Sequence, residues 1–231
     1  MTFPFVGAPQ LRERFLAFAH FYDVQLHGEF LPCRSVLEIL SLVQAQRFDG
    51  AGRGLPNAIF VMMNPGSSRP LAIGDAIEGR PGHSTCRLVA ARPDTTQYQV
   101  MRIMDRMGWN HVRVINLSDI RESRSSVFMN WYRALEEGHG YRAHSMFSTE
   151  RRAELTQALR RKRDAPLILA WGVHLKLTPL IREALPLLQS AGQCFGVQQP
   201  DSKDKYFHPL PMLQTDKVRW VRELSAQLQG G

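Results

Sequence analysis

Only three cysteines occur in the 231 residues, and Cys33, Cys86 and Cys194 stand far apart. No pair has metal-ligand spacing, and the odd count argues against a disulfide framework, so the chain reads as one suited to a reducing cytoplasm. No apolar run approaches the length needed to cross a bilayer. The first residues, MTFPFVGAPQLRERF, have neither the basic start nor the long apolar middle of a secretory signal.

Common nucleotide and hydrolase signatures are missing as well. No G-x-G-x-x-G follows an apolar run, and GAGRGLPN at 50–57 has the wrong spacing and context. No G-x-x-x-x-G-K-[ST], H-E-x-x-H or G-x-S-x-G occurs. Dinucleotide redox chemistry, P-loop ATP hydrolysis, zincin proteolysis and nucleophile-elbow hydrolysis therefore find no support. Acidic residues are in deficit: 21 Asp and Glu face 29 Lys and Arg, for a net charge of +8 and a pI of about 9.9. That balance favours a polyanionic partner, nucleic acid first, although a merely soluble basic surface carries the same charge.

What is present is enough for a sizeable core, with 44% hydrophobic residues. Apolar residues at helical spacing predict helices over 11–26 and 34–48. Short apolar runs bounded by turn residues predict buried strands at 58–63, 112–117, 166–171 and about 194–197. Helices are predicted over 96–109, 149–164 (with Thr149 as N-cap), 178–192 and 215–228. Residues 66–94, rich in Gly, Pro, Ser and Arg, predict a long irregular loop of the kind that usually carries function. Residues 118–148 give no clear pattern, and there is no internal repeat. Strands alternating with helices predict an α/β sandwich around a mainly parallel four-stranded sheet. A single domain over 1–231 is expected, with N-terminal helices in 1–50, a motif-bearing core in 58–214 and a closing helix at 215–228.

Such sheets bind ligands beyond the carboxyl ends of their strands. Three strand ends are chemically unusual here: Asn64-Pro65-Gly66, Asn116 and Trp171-Gly172-Val173-His174. Phe207-His208-Pro209 follows the last strand. Singly, each has a plain explanation as a turn, an internal amide or a packing residue.

Taken in order, the segments 62-MMNPG-66, 113-RVINL-117, 167-LILAWG-172 and 208-HPLPML-213 resemble the four motifs of the uracil-DNA glycosylase superfamily. The mismatch-specific and single-strand-selective branches, with G-I-N-P-G or G-M-N-P-G as first motif, are the most similar. The resemblance covers roughly residues 58–214 and implies that superfamily's three-layer α/β/α fold. It implies that Asn64 positions the attacking water, that His208 donates to the leaving base, and that Asn116 reads the pyrimidine edge, with Gly66 and Ser67 lining the base pocket. Met212 and Leu213 stand where the superfamily places its DNA-penetrating wedge; burial as the staple of the last helix fits them equally well. Arg121 and Arg124 are candidate phosphate ligands. The basic run Arg160, Arg161, Lys162 and Arg163 reads better as a solvated helix face.

The chain departs from the motifs in several places. Met62 replaces the leading Gly, and Leu210 replaces the Ser of the last motif. The catalytic Asp and the Tyr of the strictly uracil-specific branch are absent. Gly66 occupies the place of that Tyr, which shields against 5-substituents. Asp75 is a candidate carboxylate for polarising water, although a solvated loop Asp is the commoner case. Three scattered cysteines exclude the iron-sulfur branches. The expectation is a monofunctional DNA glycosylase without metal or organic cofactor, acting as a monomer on DNA and not at a membrane. The open 5-position points to a modified pyrimidine, such as hydroxymethylated or glucosylated cytosine, and to a role in anti-phage defence. Uracil or mismatch repair, a non-catalytic nucleic-acid-binding module and a nucleoside hydrolase remain the alternatives.

Overall fold

A computed structural model describes residues 5–26, 28–50, 54–72 and 87–230. Asp75 and Cys86 lie outside the described residues. The described strands form one sheet: β1 (Phe15–Leu26), β2 (Glu29–Ser41), β3 (Ala58–Met62), β4 (Arg69–Pro70), β5 (Val89–Arg92), β6 (His111–Asn116), β7 (Leu167–Ala170) and β8 (Cys194–Phe195). Their spatial order is β4-β5-β1-β2-β6-β3-β7-β8. The four strands expected from sequence are β3, β6, β7 and β8, and they pair in parallel. The expected four-stranded sheet is nevertheless only half of the observed one. On the far side of β6, strands β2, β1, β5 and β4 add in antiparallel fashion, making an eight-stranded mixed sheet.

The N-terminal helices expected over 11–26 and 34–48 are instead the hairpin β1–β2. Its pairing runs from Phe15↔Ser41 to Leu26↔Glu29, with a register shift between Ala19 and Phe21. Only the short helices α1 (Ala8–Arg12) and α2 (Leu42–Ala45) flank it. Phe15, Phe18, Phe21, Tyr22 and Val24 suit a pleated, half-buried surface. Period-two alternation was hidden because β2 buries charged residues. The Glu38 carboxylate sits in the sheet interior, 2.7 Å from both Arg113 Nε and His111 Nε2 on β6. A helical reading would have put Glu38 on a solvated face.

Helices cover both faces of the sheet. On one face α1, α3 (Thr95–Met107) and α7 (Gln214–Gly230) bring Leu11, Met101, Met104, Trp220 and Leu224 against Phe60 and Met62. On the other, α4 (Ser125–Arg133), α5 (Arg152–Ala158) and α6 (Thr178–Ala191) bring Phe128, Leu155 and Ile181 against Ile59 and Val61. Every residue of β3 is buried, as its unbroken apolar run requires. The helix expected over 149–164 is shorter. Thr149 opens a 3-10 turn with Ser148 before it, and α5 stops at Ala158. The basic run lies past that end, where Arg161 donates to the carbonyls of Leu159, Ala165 and Ala191. Arg113 takes the carbonyls of Ala158 and Arg160, so the α5 terminus is closed by side chains.

Candidate active site

The parallel half of the sheet sets the site. β6, β3 and β7 are neighbours, so their carboxyl ends open side by side onto a cleft of about 560 Å³. Asn64, Gly66, Trp171 and His208 line it. Asn64 stands two residues past the end of β3, and its amide nitrogen donates to the carbonyls of Glu122 (2.6 Å) and Ile120 (3.1 Å). Those two bonds use both amide hydrogens and leave Oδ1 as the free acceptor. The loop that supplies the carbonyls is itself anchored. Asp119, fully buried, accepts from Tyr22 Oη on β1 (2.7 Å) and from Arg151 Nη1 (2.6 Å).

His208 is held by its neighbours on both sides. Trp220 Nε1 donates to the Phe207 carbonyl (3.0 Å), and Gln99 Nε2 donates to the Pro209 carbonyl (2.7 Å). Both donors come from helices α7 and α3, so the loop is clamped by two rigid elements. The ring accepts from the Leu210 backbone N–H at Nδ1 (3.2 Å), which assigns the neutral tautomer with its proton on Nε2. Burial against the cleft wall pushes the imidazole pKa down to about 4. The side chain at 208 is therefore a neutral Nε2–H donor at pH 7.

Trp171-Gly172 acts through this loop. Trp171 is fully buried, packs edge-on against Tyr206 and donates to the Asp204 carbonyl (2.9 Å). Gly172 N–H donates to the Tyr206 carbonyl (2.8 Å), pinning the chain two residues before His208. Gly66 has φ of 61°, so a turn conformation by itself accounts for glycine there. A Cβ at 66 would have Asp94 Oδ2 as its nearest neighbour, at 3.7 Å. Asp94 is the N-cap of α3: its Oδ1 accepts from Gln97 N–H (3.0 Å), and burial raises its pKa. Arg34, on β2, also lines the cleft although only 2% exposed, and its Nε has no hydrogen-bond partner among the described residues.

A family model described as "Protein of unknown function (DUF1643)" matches residues 84–210, more than half of the chain. The chain belongs to the DUF1643 family. Comparison with curated proteins gave no match, and comparison with solved structures gave none. Of the residues above, the DUF1643 span contains Asp94, Trp171 and His208, while Arg34 and Asn64 precede it.

The remaining sequence-derived residues of this DUF1643 chain are placed unevenly. Ser67 lines the cleft, exposed. Asn116 ends β6, paired in register with Met62, and is fully buried. It is not among the lining residues, though Met62 and Val114 beside it are. Both its amide atoms lack a hydrogen-bond partner among the described residues. Met212 and Leu213 are 97% and 64% exposed, so they are not the buried staple of α7. Arg121 is tied down by donating to the Ser68 carbonyl (2.6 Å). Arg124 is exposed and precedes α4, between the cleft-lining Ser123 and Ser125. Among the described residues, no group of three or more His, Cys, Asp and Glu side chains is placed to hold a metal ion.

Asp94 and Arg34 are charged lining residues that no motif marks. Asp94 carried a signal: Asp followed three residues later by Gln before an apolar-periodic run is an N-cap signature, and an N-cap beside a strand end lies at the cleft. Arg34 carried none, because it opens 34–48, which has helical spacing and no motif.

Proposed function

We propose that this DUF1643 chain is a monofunctional DNA glycosylase that flips a pyrimidine nucleotide into the cleft and hydrolyses its glycosidic bond. The proposal includes a fold of the uracil-DNA glycosylase type, with the antiparallel strands as an extension of its sheet. The observation that carries it is the pairing of Asn64 and His208 in one cleft: a fixed amide acceptor and a fixed neutral donor.

Breaking an N-glycosidic bond makes the sugar cation-like and the departing base anionic. Asn64 Oδ1 accepts a hydrogen bond from water and orients its lone pair towards C1′. His208 Nε2–H donates to the base carbonyl oxygen as negative charge grows there. A neutral donor in a buried site stabilises that charge without itself losing a proton, as an oxyanion-hole donor does. Water adds its hydroxyl to C1′ and its proton to the base, giving an abasic site and a free base. Asn116, with a donor and an acceptor both unpaired, matches the needs of a pyrimidine edge.

The net charge of +8 supports a DNA partner. The exposed Met212 and Leu213, two and three residues past the lining residue Leu210, suit a wedge that fills the gap left by a flipped base. The space beside Gly66 favours a 5-substituted pyrimidine, and phage DNA carrying such bases gives the activity a role in defence.

Two measurements test the proposal. The purified protein is incubated with DNAs carrying uracil, cytosine, thymine or 5-substituted cytosines; released bases are identified by mass spectrometry and abasic sites by alkaline cleavage. A free 5-substituted base with matching abasic sites is expected. Release of uracil alone would leave a repair enzyme, and no release from any DNA would overturn the glycosylase reading. Truncating the wedge, Met212→Ala with Leu213→Ala, is expected to lower release from duplex DNA about tenfold more than release from single strands, because only duplex must be unstacked. Equal losses on both would remove the wedge from the reading.

A further inference from the structure

We propose that Arg34 and Asp94 are the specificity-determining pair of the cleft, and that together they bind a hydroxyl-bearing substituent on the pyrimidine ring; this rests on the glycosylase reading.

Arg34 is the starting observation. Its guanidinium is buried in the cleft wall and makes no ion pair among the described residues. A buried, unpaired cation is destabilising, and proteins keep one where a ligand supplies the missing partner. Burial is the main influence on it and pushes its pKa down to about 10; Asp94 and Asp119 act against that shift, and Arg121 adds to it. Asp94 faces the same space. Its Oδ1 is committed to capping α3, which fixes the carboxylate, and its Oδ2 is the atom nearest to the space beside Gly66. The two charges act on each other without closing into a salt bridge. The cleft therefore presents one fixed acceptor beside Gly66 and one buried donor whose charge acts on that acceptor.

The chemistry of these two groups discriminates among substituents. A hydroxyl donates to a carboxylate and accepts from a guanidinium, so it satisfies both. A hydrogen or a methyl group satisfies neither and would desolvate both charges. A carboxylate or phosphate would satisfy Arg34 but stand against Asp94. The pair thus selects a hydroxymethyl or polyhydroxyl group over apolar and anionic ones, by leaving buried polar groups unpaired with the wrong substrate.

The test compares oligonucleotides carrying 5-hydroxymethylcytosine, 5-methylcytosine, cytosine and 5-carboxylcytosine at one site, by kcat/KM and by Kd. The wild-type chain is expected to prefer the hydroxymethyl base about tenfold or more over the methyl base. Arg34→Met and Asp94→Asn should each cut that ratio about tenfold, and Arg34→Lys should retain part of it. Asp94→Asn keeps an N-cap side chain, so loss of the ratio there reports the charge and not the helix. Arg34→Met should also raise Tm by about 3 °C, since a buried unpaired charge is replaced by an apolar chain of similar length. Equal rates on methyl and hydroxymethyl bases, preference for the carboxyl base, or ratios unchanged in the variants would overturn the proposal. A fall in Tm for Arg34→Met would assign Arg34 to the core and overturn it equally. Should no DNA release a base, the glycosylase reading fails and the Kd values decide. A hydroxymethyl preference that Arg34→Met removes would uphold the pair, and its absence would end it.

Discussion

Asn64→Ala is expected to lower the single-turnover rate of base release by about 100- to 1,000-fold, the usual loss when one fixed polar contact to the transition state is removed. Affinity for DNA should change little, because on the glycosylase reading Asn64 holds the attacking water and not the DNA backbone. The more revealing substitution is Asn64→Asp. A carboxylate is a stronger base than an amide, and on basicity alone the variant should be faster. The structure predicts the reverse. The amide nitrogen of Asn64 donates to the carbonyls of Glu122 and Ile120, at 2.6 and 3.1 Å. Asp would set a carboxylate oxygen against two carbonyl oxygens, leaving three acceptors without a donor. The variant should lose activity, and its urea midpoint should fall by the equivalent of about 1–3 kcal/mol. An Asn64→Asp variant that releases base faster than wild type, with an unchanged midpoint, would show that the amide is not held as described.

His208→Asn is the second large effect. Asn at this position can still accept from the Leu210 N–H as a local turn, but it cannot extend a donor to where Nε2–H lies. The rate of base release should drop about 100- to 1,000-fold with the loop intact. The wild-type protein should show no titration of His208 between pH 5.5 and 7.5, because burial holds its pKa at about 4. A rate that rises or falls with a midpoint near 6.5, and loses that midpoint in His208→Asn, would mark the ring as a proton donor of ordinary acidity. Stability carries the same signature. In the unfolded chain the imidazole titrates near 6.5 and in the folded chain near 4. Between those values the unfolded state holds the extra proton, so stability rises with pH across that window and is lost as pH falls through it. From this group alone the fold should be about 2 kcal/mol weaker at pH 5 than at pH 7. That difference should shrink in His208→Asn, read by urea melts at both pH values.

The first 50 residues show why part of this protein could not be read from its sequence. Their aromatic and apolar residues satisfy a helical period well enough to suggest two helices, and Arg34 and Glu38 look like solvated positions on them. In the fold both are buried. Glu38 is compensated by Arg113 and His111, more than 70 positions away. Arg34 Nε is left without a hydrogen-bond partner among the described residues, and its side chain lines the cleft. No local pattern encodes such partners, and burial of a charge reverses the inside-outside rule on which pattern reading depends. The same hairpin supplies Tyr22, which helps anchor the loop beneath Asn64. A segment outside every motif is thus part of the site.

Other features were local and could be read directly. The parallel strands β3, β6, β7 and β8 are short apolar runs closed by turn residues, and their rank in the sequence places Asn64, Asn116 and Trp171 at one edge. Gly66 shows the limit of that kind of reading. Its positive φ accounts for the glycine by itself, and the space beside it proves to be bordered by the Asp94 carboxylate.

By itself, the sequence determined that the chain is α/β and which four strands pair in parallel, because burial of unbroken apolar runs and turn chemistry act within a few residues. Only the tertiary structure decided the hairpin, the eight-stranded mixed sheet, the Nε2–H form of His208 and the charged wall of Arg34 and Asp94. Those depend on which distant backbone groups and charges come within hydrogen-bond reach, and that is set by the packing of the whole chain.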